Sequence, residues 1–382
     1  MRKEGFFVTL IFGLLVGCSH TVQPVAKALP SKWAAKEFSP TEARCATPRQ
    51  TGFGTWWAFC DEGAHGRLSI FREDRSLVSE HVIPSTDRLA MAKSVSSESS
   101  WVEFAGLVWV GTQDGRVLGF NAKGEIQKSR QFQDNTWFKD IAVLADELVV
   151  LSVRHQDVRV IKLDDDLRTQ KEVRLSEARH EAELSVHNEA IFVATDLGFL
   201  VELNEKLQFE RLWRLSPGAA LGPMAVTAES VWVGNEEGRL YHVHRSADFT
   251  SLLVGKSAIT TAPVITSQGV WVALDEEGLL KLIDSQHRVR RSVHIPMSRT
   301  LLSFESVDYF GHTLLGVASD AHYSLLASDG EILWQLESAG QSFDYLLSVK
   351  PQGRLWLGHW ELTPNERDIN LHSDRLPATF SR

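Results

Sequence analysis

The chain has 382 residues, of which 43% are hydrophobic, 23% charged and 9% aromatic, and its formal net charge at pH 7 is −9. This composition fits a folded chain and excludes collagen-like and intrinsically disordered classes, while the acidic balance argues against nucleic acid as a partner. Length alone allows roughly two or three domains, a prior that the internal repeat described below reduces to one.

The N-terminus reads MRKEGFFVTLIFGLLVGCSH, with Arg2 and Lys3 ahead of an apolar run from Phe6 to Val16. The run is short for a membrane span and ends in small residues, so residues 1–17 are predicted to be a secretory signal peptide. Leu15-Val16-Gly17-Cys18 resembles the lipobox of bacterial lipoproteins, which implies that Cys18 carries lipid and becomes the new N-terminus. Several acyl chains on one residue give stable anchoring where one chain binds only reversibly. Ser19 follows the cysteine, and the absence of Asp there resembles the outer-membrane class of Gram-negative lipoproteins. Residues 18–40, with Pro24, Pro30 and Pro40, read as the lipidated Cys and a tether. KWAAKEF (32–38) within it is the candidate for a strand that closes the fold from the other terminus.

Residues 41–382 read as one domain. Cys45 and Cys60 lie symmetrically about Gly52-Phe53, so a hairpin turning at TGFGT (51–55) sets them opposite each other. Export places them in an oxidising compartment, and cross-strand placement suits a disulfide. Two thiols within a sheet remain the alternative; a redox pair is not indicated, since there is no CxxC.

From here the chain repeats itself. SVWVGNEEGRLYHVHR at 230–245 returns as GVWVALDEEGLLKLID at 269–284, each an apolar run, an acidic turn with Gly, and a second apolar run. Aligned on the small or apolar residue ending the first run, eight copies appear, at Ala58, Gly111, Leu151, Ala194, Gly234, Ala273, Gly316 and Gly358. The intervals are 53, 40, 43, 40, 39, 43 and 42 residues, and the excess in the first falls near SVSSESS (94–100), read as an inserted surface loop. Gly115, Gly198, Gly238 and Gly278 sit at the turn after the run, where positive φ is useful. A further apolar stretch precedes each run, as in DIAVLA (140–145), AELSVH (182–187), PMAVTA (223–228) and APVITS (262–267), and a fourth follows, as in AKGEIQKSRQF (122–132). Four short strands per unit of about forty residues predict an all-β fold, a β-propeller of four-stranded blades, with eight blades and seven as the alternative. Trp109, Trp232, Trp271 and Trp356 hold one place in four units and are expected to pack between blades. In the last unit the run at 354–358 is followed by RDINLHS (367–373) as the expected next strand.

ASDGEILWQLESAG (327–340) and RLWRLSP (211–217) resemble the outer strand of pyrroloquinoline-quinone-type repeats, and VWVGTQDGRVLGFNAKGEI (108–126) resembles the part before it. With the signal, lipobox, short tether and eight units, the pattern resembles the outer-membrane assembly lipoproteins of the BamB family over about 300 residues. That resemblance implies a periplasm-facing, membrane-anchored, monomeric scaffold that binds envelope proteins and needs no cofactor.

For an enzyme the sequence offers little. The quinoprotein dehydrogenases, which share the repeat, are longer and carry vicinal cysteines, absent here, and no HExxH, GxSxG, P-loop or Rossmann fingerprint occurs. No catalytic or metal-binding residues are therefore assigned. His242 and His244 share one strand face and form the sharpest metal candidate, but no third ligand is near in sequence. Charge stands out instead: Asp114, Asp196, Glu236, Glu237, Asp275, Glu276 and Glu277 recur in the turns after the VWVG-type runs, which the repeat gathers on one rim. They read either as ordinary solvated turn residues or as a docking face for a basic partner. The expected function is a protein-binding scaffold of the cell envelope; the alternatives are a propeller enzyme with a channel site, lyase-like or quinoprotein-like, or a small-ligand sensor.

Overall fold

A computed structural model describes residues 33–37, 44–45, 49–61, 66–72, 76–83, 101–112, 115–132, 136–246, 248–295, 301–309, 311–319, 322–337, 347–349, 355–357 and 360–364. The signal and lipobox with Cys18, the Ser-rich stretch at 94–100, Asp114 and the segment 367–373 lie outside them.

The described residues are all strand and turn. They form seven four-stranded antiparallel sheets and one five-stranded sheet, numbered here 1 to 8 in chain order. Sheet 1, residues 44–83, is the five-stranded one. Sheets 2 to 7 span 102–131, 137–175, 182–214, 221–253, 264–294 and 301–337, and sheet 8 joins 347–364 to Trp33–Glu37. Each four-stranded sheet of consecutive strands is a meander, the arrangement of a propeller blade.

The apolar core explains why the second strands are apolar throughout. In sheet 4 that strand is Ala190–Thr195, buried at every position. Side chains alternate across a strand, so Ile191 and Val193 join a cluster with sheet 3, while Ala190, Phe192 and Ala194 join a cluster with sheet 5. Every apolar cluster among the described residues likewise bridges two successive sheets. The first strands of neighbouring sheets touch one another, and the fourth strands, such as Phe209–Arg214, are mostly exposed. First strands are therefore inner and fourth strands outer, as in a propeller.

Three of the four tryptophans face the next sheet along the chain: Trp109 towards sheet 3, Trp232 towards sheet 6 and Trp271 towards sheet 7. Trp109 and Trp271 are fully buried, and their indole N–H groups donate to Phe104 O and Ser328 O, each at 2.8 Å. Of Trp356 the backbone is described, in strand Leu355–Leu357.

Sheet 8 is assembled from both ends of the chain. Trp33–Glu37 pairs antiparallel with Trp360–Pro364, from Trp33↔Pro364 to Glu37↔Trp360, and forms the outer edge. The third strand here is Trp360–Pro364, not the later RDINLHS segment that the sequence suggested. Two residues separate it from Leu355–Leu357, so the shorter connection closes a hairpin pairing Leu355 with Leu362. In sheet 1, the backbone register sets Cys45 opposite Cys60. The turn at 51–55 is closed by Thr51 N donating to Thr55 O at 2.8 Å and Gly54 N to Thr51 O at 2.9 Å.

Candidate functional site

The turns joining second to third strands carry the acidic residues singled out in the sequence. In sheet 4, Gly198 N donates to Thr195 O at 3.1 Å, and Gly198 has φ 80°. Its carbonyl accepts from Leu215 N and Ser216 N, which tie down the chain leaving the outer strand. A Cβ at Gly198 would lie 1.7 Å from Ser216 O, so only glycine fits both the φ and the space. Sheet 5 repeats the device: Gly238 O accepts from Val254 N at 2.9 Å and from Gly255 N at 3.2 Å.

Within this frame the acids divide into two kinds. Asp196, Glu236 and Glu277 reach to the segment that enters their own sheet from the preceding outer strand. Asp196 accepts from Arg179 N at 2.9 Å and His180 N at 3.0 Å, and Glu236 Oε1 from Ala220 N at 3.2 Å. Glu277 Oε1 accepts from Lys256 N at 2.7 Å, Ser257 N at 3.0 Å and Ser257 Oγ at 3.3 Å. The Lys256 N–H, followed by the Ser257 donors, holds the Glu277 carboxyl below its usual pKa, against a smaller opposing effect of burial. Asp275 Oδ1 accepts from the neighbouring Glu276 N at 3.0 Å. The side chains of Glu237 and Glu276 are exposed, as is that of Glu236 apart from its single bond to the backbone.

The opposite ends of the sheets hold a recurring polar position of which the sequence reading noticed only His242, as a metal candidate, and missed Lys162 and Glu202. Lys162, Glu202 and His242 stand in the third strands of sheets 3, 4 and 5, spaced by forty residues, and each reaches the turn between third and fourth strands of the next sheet. Lys162 Nζ donates to Glu205 O at 2.8 Å and pairs with Glu147. Glu202 Oε1 accepts from Arg245 Nε at 3.1 Å. His242 Nδ1 shares a hydrogen bond with His287 Nε2 at 3.0 Å. These contacts latch sheet to sheet; from sheets 2 and 6 charged pairs to the next sheet come instead from the fourth strands, as Lys128 to Asp166 at 2.9 Å and Arg291 to Asp329 at 3.6 Å. The signal was present: VIKL, VELN and YHVH each break an apolar strand with a polar residue at one place in the repeat.

His242 does gain a third imidazole, from a sheet its sequence neighbours do not reveal. Its ring stacks on Trp232 at 3.8 Å with an interplanar angle of 7°, and His244 and His287 lie 4.2 and 5.3 Å away, centroid to centroid. Burial, followed by the proximity of His244 and His287, pushes the His242 pKa down to about 4. The His242 and His287 rings bond each other, and among the described residues no group of three or more His, Cys, Asp or Glu side chains is arranged to hold a metal ion. No helix among the described residues is long and apolar enough to cross a membrane.

The architecture defines a β-propeller. No family model and no curated protein sequence matches the chain. Among solved structures it is similar to BamB from Moraxella catarrhalis, at 11% identity and TM-score 0.58 over 86% of this chain and 97% of that one. It is similar to a europium-containing methanol dehydrogenase, at 9% identity and TM-score 0.62 over 84% of this chain and 83% of that one. Virginiamycin B lyase from Staphylococcus aureus is also similar, at 10% identity and TM-score 0.55 over 75% of this chain and 96% of that one. At such identities the shared property is the fold, which serves a BamB protein, a dehydrogenase and a lyase alike.

Proposed function

We propose that the chain is an eight-bladed, lipid-anchored propeller on the outside of the cytoplasmic membrane, facing the periplasm from the outer membrane, that acts as a protein-binding scaffold of the bacterial envelope. The eight sheets serve as blades, and Trp33–Glu37 completes the last of them. The lipobox-like Leu15-Val16-Gly17-Cys18 and the likeness to BamB support the anchor and the setting, including a part in outer-membrane protein assembly. The observation that carries the scaffold reading is the set of exposed carboxylates at Glu236, Glu237 and Glu276. They stand on equivalent turns of adjacent blades, and two of them, Glu237 and Glu276, make no side-chain contact that the fold requires. Such a row suits a basic partner, steering its approach electrostatically.

The test recovers the wild-type chain from membranes in mild detergent with its bound proteins, beside a Glu237→Lys/Glu276→Lys variant. Partner recovery is expected to fall in the variant and to weaken with salt in the wild type, at unchanged melting temperature. Undiminished recovery by the variant rejects the rim as the docking face, and a wild type that binds no protein but turns over a small molecule favours a channel enzyme. Fatty-acid labelling that depends on Cys18 tests the anchor. The opposed backbone positions of Cys45 and Cys60 support a disulfide, which predicts that neither reacts with a thiol reagent until reductant is added.

A further inference from the structure

The outer strand of each sheet has a neighbour on one side only, so its other side offers backbone groups to any extended chain that meets it. Folded proteins guard such edges with charged side chains and with bulges that twist the edge away. This repeat uses both. In sheets 1, 2, 3, 4, 6 and 7 the pairing of the outer strand with its neighbour contains a register shift, and each of those outer strands bears at least one Lys, Arg or Glu. In sheet 8 the pairing is unshifted, but its outer strand Trp33–Glu37 carries Lys36 and Glu37. Among the described sheets, sheet 5 alone has neither device. Its outer strand Phe249–Leu253 reads FTSLL and pairs in unbroken register with the third strand, from Arg239↔Leu253 to Val243↔Phe249.

Val254 N donates to Gly238 O and His244 N to Asp248 O, each at 2.9 Å, so the backbone groups of Asp248 and Val254 point at the third strand. Alternation between them turns the N–H and C=O groups of Phe249, Ser251 and Leu253 outward, where no strand lies beyond among the described residues. The same three side chains share one face of the sheet. Phe249, edge-to-face on Tyr241 at 6.1 Å, is 42% exposed, and Leu253 is 58% exposed. The other face is already used: Thr250 Oγ1 meets His287 Nε2 at 3.2 Å, and Leu252 packs on the apolar cluster shared with sheet 6. On the scaffold reading above, we propose that the edge of Phe249–Leu253 takes up an extended, uncharged segment of a partner protein as a fifth strand, whose alternate apolar side chains cover Phe249 and Leu253. An edge without charge complements a chain without charge, and in strand addition the main-chain hydrogen bonds supply affinity while alternate side chains supply selectivity. Five residues of edge bury far less than the ~800 Å² per partner of a stable dimer, which disfavours a second copy of this chain.

The experiment follows fluorescence anisotropy of a labelled, terminally blocked hexapeptide of alternating Val and Thr, titrated with the full chain in mild detergent. The same peptide with every amide N-methylated, unable to donate, is the control. Saturable binding of the unmodified peptide alone is expected. It should weaken about tenfold or more in Leu253→Lys, which sets a charge beside the edge, and in Ser251→Pro, which removes an outward N–H and leaves the inner ladder intact. Should Ser251→Pro fail to fold, Leu253→Lys, at an exposed side chain, decides alone. Leu212→Lys, on the outer strand of sheet 4, should bind as the wild type does. Glu237→Lys/Glu276→Lys should also bind the peptide normally, so that loss of the rim and loss of the edge are told apart. Absence of peptide binding beside intact partner recovery from membranes rejects the edge and leaves the scaffold standing. Absence of saturable binding at millimolar concentration, equal binding of the methylated peptide, equal loss in Leu212→Lys, or binding unchanged in Leu253→Lys overturns the proposal. A concentration-dependent dimer that Leu253→Lys abolishes also overturns it, by assigning the edge to a second copy.

Discussion

Trp271 and Trp232 occupy the same place in the repeat but not the same surroundings. Trp271 is fully buried against sheet 7 and hydrogen-bonded to Ser328 O, and the backbone at Gly330 approaches so closely that a Cβ there would lie 2.6 Å from the indole. Trp232 is 8% exposed and has one face on the His242 ring. Trp271→Ala should therefore cost about 3–5 kcal/mol, and Trp232→Ala about 2–3 kcal/mol because the imidazole can partly collapse into the space. Denaturant unfolding measures both; a loss below about 1 kcal/mol for Trp271 would contradict packing between sheets. His242 supplies a pH dependence. Its folded pKa, near 4, lies below its ordinary value of 6.5, so between these values the unfolded chain binds the extra proton. Stability from this group is complete above pH 6.5 and is lost as pH falls towards 4, at no more than about 1.4 kcal/mol per pH unit, less whatever solvent screening removes. The stability-against-pH slope of His242→Gln should be shallower in that window, and an unchanged slope assigns it to other groups. That Trp would be core was legible from its recurrence; that His242 would meet His287 was not, because their contact crosses sheets and 45 residues.

Turns between second and third strands do two jobs, and their residues should separate by mutation. Glu277→Ala removes an acceptor used by Lys256 N, Ser257 N and Ser257 Oγ and should cost about 1–2 kcal/mol, since backbone donors lose a charged partner. Glu276→Ala, one residue away and exposed, should change stability by less than about 0.5 kcal/mol. Thermal unfolding of the pair is the measurement; equal losses would mean that the Glu277 contacts add nothing to the fold. At this scale the repeat made the strands legible, because a two-sided apolar run, an acidic turn and Gly recur every forty residues or so. The division of labour among the acids was hidden for a physical reason. A carboxylate suits a solvated turn and a backbone clamp equally well, and only the approach of the incoming chain decides which it is.

A propeller ring has no free edge between blades, but its first and last sheets must be joined, and here the join is made by pairing two distant parts of one chain. Trp33–Glu37 lies on Trp360–Pro364, more than 320 residues away in sequence, with five residue pairs in register. Without that strand, the third strand of sheet 8 would present an unpaired edge, and the sheet would have three strands where sheet 7 has four. Pairing of this kind forms late and pays a large loop-closure cost, so its loss should be felt by the whole ring and not by one sheet. Two truncations distinguish a tether from a closing strand. A chain beginning at residue 32 removes the proposed tether and should melt at the same temperature as the mature protein. One beginning at residue 38 removes the strand as well; it should melt several degrees lower and tend to associate through the exposed edge, read by calorimetry and by light scattering. Equal melting temperatures for the two would show that the N-terminal strand is dispensable to the fold.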